Sequence, residues 1–351
     1  MNSKERVFKT LSHQEPDNVP LYIWYHPDVF KSLEKEFNLK GRELEVYLGN
    51  DILQTWVSIN YYQSVVVDED TIFTDEYGIK WHRKGGYNMV IHNPINSWDI
   101  KDLGDYKFPD PDRVDRFDEL KYLVDTFGKE YFIGADVSGT IFEPCSHIRG
   151  MEQLLLDLYS DEKSVDKFLD NATDFSLKVA INSLEFGVDW IWLGDDVGTQ
   201  EGMILSPQMW RKFFKPRMKK IIDELRKIKN DLIIAYHSCG TIYPIIEDLI
   251  EIGVNVLNPI QPKAKDMDMY KIKLQYGDKL TLHCGMDTQG VLPFGSLNDI
   301  EIETKKIIKY LAKDGGFIFT ASHTIQPDTS IDRILLMLDL LKKFGKYPII
   351  I

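Results

Sequence analysis

Residues 237–239 read His-Ser-Cys, and an imidazole two residues before a thiol can hold one face of a tetrahedral Zn2+. The pair sits at the end of an apolar run, LIIAYH (232–237), where a chain leaving a strand turns. A third ligand must come from elsewhere, and Cys284 and His323 are of suitable type. Sulfur and nitrogen donors suit zinc better than magnesium or calcium, which prefer oxygen. A catalytic zinc keeps three protein ligands and one open position, so one of His237, Cys239, Cys284 and His323 is expected to stay off the metal. The competing reading is plain: a free cysteine is most often a small buried hydrophobe, and Cys145 is taken as one. Four carboxylates, Glu143, Asp195, Asp196 and Asp287, follow other apolar runs and are candidate acid/base groups or substrate anchors. Asp195-Asp196 also fits a turn and helix cap ahead of Ser206. Trp24, Tyr25, Trp56 and Trp192 are read as core before pocket.

The elements that must position these residues are short. Eight apolar, β-branched runs read as strands: 20–24, 51–57, 130–136, 188–193, 232–237, 254–257, 279–284 and 316–320. Amphipathic stretches lie between most of them. In 164–186, Val165, Phe168, Leu169 and Ala172 share one helical face, and Gly187 can close the helix. Ser206-Pro207 pairs an N-cap with a proline at the first helical position; 241–252 ends at Gly253, and 330–343 stops at Gly345. Strand–helix alternation implies parallel strands with crossover helices, and eight of them favour a single (β/α)8 TIM barrel of the α/β class. An open doubly wound sheet would show a glycine-rich phosphate turn after its first strand, and there is none. In such a barrel the polar strand ends gather on one rim, which is what would unite His237, Cys239 and their partners. Residues 1–18 read as an N-terminal helical extension and 71–93 as an inserted antiparallel hairpin region, leading into the proline-rich linker 106–112. No linker or internal repeat divides the 351 residues, so a single domain, 1–351, is expected.

Composition excludes several classes of function. The chain is 43% apolar with a net charge of −13, enough for a sizeable core and the wrong sign for nucleic acid or an anionic membrane surface. No run approaches the ~20 apolar residues of a membrane span, and MNSKERVFKTLSHQEPD lacks the apolar segment of a signal peptide. Three cysteines form no disulfide framework, which suits the cytoplasm.

Five stretches then carry a likeness: KERVFKTLSHQEPDNVPL at the start, DDVGTQEGMILSPQMWRKFFKP (195–216), YHSCGTIYPIIEDLIEIGVNVLNPIQP (236–262), HCGMDTQGVLPFGS (283–296) and GGFIFTASHTIQPD (315–328). Together they resemble the uroporphyrinogen decarboxylase superfamily, and within it the cobamide-dependent methyltransferases, including methyltransferase components of O-demethylase systems. True decarboxylases of this type carry an arginine-rich loop for the acid arms of their substrate; here that position reads IWYHPDVF, without arginine. The resemblance implies zinc bound through His237-x-Cys239 and a distant cysteine near the last strand, a position that here holds Ser322-His323. It also implies a corrinoid (cobalamin) carried by a partner protein, since the chain is too short for a corrinoid domain and shows no D-x-H-x-x-G motif. The reaction implied is methyl transfer between that cobalt and a small methylated substrate, with aryl methyl ether O-demethylation favoured and a protein carboxyl protonating the leaving oxygen. The alternatives are methylation of a thiol of the coenzyme M type, and metal-independent decarboxylation of a smaller acid. A non-catalytic corrinoid- or metal-binding accessory protein is a third. The family permits a monomer or a homodimer.

Overall fold

Along a strand, side chains alternate between two faces, so a closed parallel sheet sorts each short run into an inner and an outer set. The structure is a computed structural model and describes residues 1–57, 67–160 and 162–351. Its strands, in chain order, are β1 (Ile52–Trp56), β2 (Ile72–Thr74), β3 (Lys80–Lys84), β4 (Tyr87–His92), β5 (Phe132–Asp136), β6 (Trp190–Gly194), β7 (Ile233–His237), β8 (Val256–Asn258), β9 (Thr281–Met286) and β10 (Phe317–Ala321). Seven form one parallel sheet in the order β1-β5-β6-β7-β8-β9-β10. The eighth expected strand, 20–24, is not a regular strand. It closes the sheet by splitting its hydrogen bonds between the two edges: Phe319 N–H donates to Pro20 O (2.8 Å) and Tyr22 N–H to Phe319 O (3.1 Å), while Asp51 N–H donates to Leu21 O (2.8 Å). Pro20 has no N–H to offer a ladder, and Leu21 N–H goes to the Asp51 carboxylate instead (2.9 Å). The result is the TIM-type α/β architecture read from the sequence.

Alternation is visible in the packing. Tyr22, Ile52, Phe132, Trp190, Trp192, Ala235, Val256 and Ile318 form a cluster inside the barrel, separate from the larger core. Their neighbours in sequence, such as Leu53, Ile133, Ile191, Ile234, Leu257, Leu282 and Phe319, face outward and join that larger core with the surrounding helices. Space for the inner tryptophans is made by a residue without a side chain. A Cβ on Gly134 would lie 2.1 Å from Trp190 Nε1. That indole donates to Gln54 Oε1 (2.7 Å), and Gln54 Nε2 donates to Asp136 (2.7 Å), so the polar atoms at mid-barrel are paired. Helix Ser3–Leu11, with a complete Asn2/Glu5 capping box, adds Val7 and Leu11 to the inner cluster.

The segment at 71–93 is antiparallel, as expected: β2 pairs β3 and β3 pairs β4, with the tight turn at Gly85-Gly86 (φ +61° and +82°). It packs on helix Phe142–Arg149, where Trp81 meets His147 edge-on (5.4 Å) and Asn93 Nδ2 donates to His147 O (2.7 Å). At the rim it is tied by Tyr87 to Gln326. Among the described residues no helix is long and apolar enough to cross a membrane.

Candidate metal centre

The inner positions at the ends of the strands are polar: Asp136 on β5, His237 on β7, Asn258 on β8 and His283 on β9. His237 is the last residue of β7 and points inward, in register with Ala235 and Ile233. Two residues later, past the turn, Cys239 Sγ lies 3.6 Å from His237 Nε2. From the end of β6 comes a third donor, Asp196 Oδ1, 3.5 Å from the same Nε2 and accepting the Cys239 backbone N–H at 2.7 Å. One ligand atom from each of Asp196, His237 and Cys239 lies within 4.8 Å of the others. Among the described residues this is the one group of three or more donors so placed.

The loops after β6 and β7 meet because two glycines let their backbones touch. Gly240 has φ +74°, and a Cβ on it would lie 2.5 Å from Gly198 C; a Cβ on Gly198 would lie 2.6 Å from Cys239 O. Thr241 N–H then donates to Thr199 O (2.8 Å), locking the crossing. Without that contact, Asp196 and Cys239 would not meet.

The adjacent carboxylates diverge. Asp195 is buried and spends both oxygens on the N-terminus of helix Phe142–Arg149, accepting from Ile141 N–H (2.9 and 3.1 Å) and Glu143 N–H (3.0 Å). Burial pushes its carboxyl up to about 7 despite those bonds. Glu143 in turn accepts the Asp196 N–H through Oε2 (3.2 Å). Burial, then the charges of Asp196 and Asp195, hold the Glu143 carboxyl well above the usual carboxylate range. Burial and the Asp196 carboxylate likewise push the Cys239 thiol up, so only a cation at this position would favour its thiolate.

The other predicted residues are placed as follows. Cys284 does not join the group. Its neighbour His283 is the inward residue of β9, so Cys284 faces outward, buried in the outer core, and burial raises its thiol to about 12. His323 lies outside the three-donor group but shares a cavity wall with Cys239, and burial, with His237 next, lowers its imidazole. Asp287 turns back on its own loop: Oδ1 accepts Gln289 N–H (3.0 Å), and Oδ2 lies 3.9 Å from Lys263 Nζ. Trp192 is inner core, 6.3 Å from His237 ring to ring.

Two residues escaped the sequence reading as parts of the centre. The sequence offers Asp196 as an acid/base group or anchor and does not mark Asn258 as part of a metal centre; Asn258 Oδ1 lies 2.6 Å from His237 Nδ1. The signal available was periodicity, since Asn258 ends β8 as His237 ends β7, in register with it. Of the three donors, Cys239 lines a cavity of about 300 Å3, together with Gln200, Gln261, Gln289, His323 and Gln326, among others.

The model of the family described as Uroporphyrinogen decarboxylase (URO-D) matches residues 2–344. The chain belongs to that family. Proteins similar to it include the methylcobamide:CoM methyltransferase MtbA of Methanosarcina mazei, 25% identical over 313 residues that cover 87% of this chain and 88% of that one. A uroporphyrinogen decarboxylase of Bacillus cereus is 24% identical over 366 residues, covering 97% of each chain. A solved methyltransferase from Methanosarcina mazei shares the fold with a TM-score of 0.68 at 19% identity, over 98% of this chain and 99% of that one.

The donor set fits zinc. It offers one imidazole nitrogen, one sulfur and one carboxylate oxygen, a set of three that would hold a zinc ion.

Proposed function

We propose that this chain moves a methyl group between a small, uncharged methylated substrate and the corrinoid of a separate protein, with zinc held by Asp196, His237 and Cys239. The observation that carries the reading is the convergence of those three donors, one of which, Cys239, lines a cavity. Similarity to MtbA supports methyl transfer involving a cobamide. Bound there, zinc would supply a Lewis acid toward an ether oxygen or a thiol.

The chain's own residues divide the remaining work. Glu143, whose hold on a proton is strengthened by burial and by two neighbouring carboxylates, donates the proton to the leaving oxygen. Asp195 holds the helix that carries Glu143. Gln200 and Gln261, hydrogen-bonded to each other (3.0 Å), and Gln289 and Gln326 give the cavity uncharged donors and acceptors. Among the described residues no lysine or arginine lines it, so the acid arms of a polycarboxylate find no basic side chain there. The segment Ile23–Phe30 adds none. This favours ether demethylation over decarboxylation of a polyacid.

The test supplies zinc-loaded protein with an aryl methyl ether and cob(I)alamin, and in parallel with a thiol and methylcobalamin. Phenol release in the first arm, lost in Cys239→Ser, is expected. Turnover only in the second arm would replace the ether by a thiol, and turnover in neither would overturn methyl transfer.

A further inference from the structure

We propose that Asn258 and His283 are positioning residues that fix the proton of the His237 ring on Nδ1 and so keep Nε2 free for a metal. The inference rests on the metal-centre reading above. It follows from a hydrogen-bond chain whose direction is set by two backbone carbonyls, which can only accept.

The first carbonyl is Tyr22 O, 2.8 Å from His283 Nε2, so His283 donates from Nε2. His283 is wholly buried, stacked on the Tyr22 ring at 5.4 Å, and as a neutral ring keeps a lone pair on Nδ1. That lone pair accepts from Asn258 Nδ2 at 2.9 Å. The second carbonyl is His283 O, 3.1 Å from the same Nδ2. Turning the Asn258 amide over would set its oxygen against that carbonyl and against the Nδ1 lone pair, so the amide has one orientation. Both its hydrogens are spent, and its Oδ1 faces His237 Nδ1 at 2.6 Å. Oδ1 can only accept; His237 therefore donates from Nδ1, and in the neutral form that binds a metal this leaves the lone pair on Nε2. Nε2 is the atom facing Cys239 Sγ and Asp196 Oδ1. The tautomer needed by a ligand is thus built in three steps from the strand β8–β9 edge, before any metal arrives.

The experiment is 15N NMR of the histidine rings in metal-free full-length protein, beside zinc affinity measured by competition with a chromogenic chelator. Wild type is expected to show His237 protonated on Nδ1. Asn258→Ala should move that proton to Nε2 and weaken zinc binding by about 10–100-fold, as loss of such an outer partner typically does. Asn258→Asp keeps an oxygen opposite His237 Nδ1 and should keep the proton there, but its second oxygen meets the His283 carbonyl and Nδ1 lone pair, so the wild-type affinity should not return in full. A wild-type ring protonated on Nε2, or Asn258→Ala with unchanged tautomer and affinity, overturns the proposal. Should Asn258→Ala fail to fold, the wild-type spectrum decides alone. Absence of zinc binding in wild type would sink the metal centre, while the spectrum of the metal-free protein still tests the relay.

Discussion

Glu143 and Asp195 meet at the start of the same helix, Asp195 buried and Glu143 partly so, yet they do different work. Asp195 has no oxygen to spare: three backbone hydrogen bonds use both, and its loss unseats the helix. Glu143 accepts a single N–H, and burial with the neighbouring Asp196 and Asp195 charges raises its carboxyl well above the usual carboxylate range. Glu143→Gln keeps the shape and removes the transferable proton. Turnover should fall by roughly 10²–10⁴ with zinc content unchanged, the usual size of a general-acid contribution. Metal analysis beside steady-state rates checks this; an unaffected rate would hand the proton donor's role to another group. The division was half legible in the sequence. That adjacent residues leaving a strand point apart follows from backbone geometry, so Asp195 and Asp196 could not share a task. Which of them meets Cys239 was not legible, because it depends on Gly198 and Gly240 bringing together loops from different strands.

At the scale of elements, the antiparallel sheet β2–β4 is organised by a buried acid. Asp75 Oδ1 accepts Tyr77 N–H and Ile79 N–H (2.9 Å each), and Oδ2 accepts Trp81 Nε1–H (2.7 Å). Burial nevertheless raises its carboxyl from 3.8 to about 6. The folded state therefore holds this proton more tightly than the unfolded chain does. Its contribution to stability is full below about pH 4 and is lost as pH rises through about 6, a change of up to about 3 kcal/mol. Denaturant melts at pH 4 and 7 should show a larger decline in wild type than in Asp75→Asn, where the other buried carboxyls still titrate. Equal pH dependence in the two proteins would contradict it. The hairpin character of this segment was readable from Gly78 and Gly85-Gly86, whose positive φ values a turn requires. The role of Asp75 was not, since only packing by Trp81 and its neighbours makes the acid buried.

For the molecule as a whole, barrel closure is what turns scattered strand ends into one centre. Seven of the eight strand runs form as read, and the eighth, 20–24, serves as an irregular stave because proline and the Asp51 side chain interrupt its ladder. The inner and outer sets follow a period of two, which decides between adjacent candidates: His283 faces the barrel axis and Cys284 the helices. Sequence spacing brought Cys284 to the right strand and left its face unread. The third donor is Asp196, from β6, on the neighbouring strand to His237. The most direct test of that arrangement is zinc per chain in purified protein, for wild type, Cys239→Ser, Asp196→Ala and Cys284→Ser. The account predicts about one zinc in wild type and in Cys284→Ser, and little in the other two, as a three-ligand site losing a donor should behave. Zinc retained by Cys239→Ser and lost from Cys284→Ser, or none in wild type after reconstitution, would contradict it.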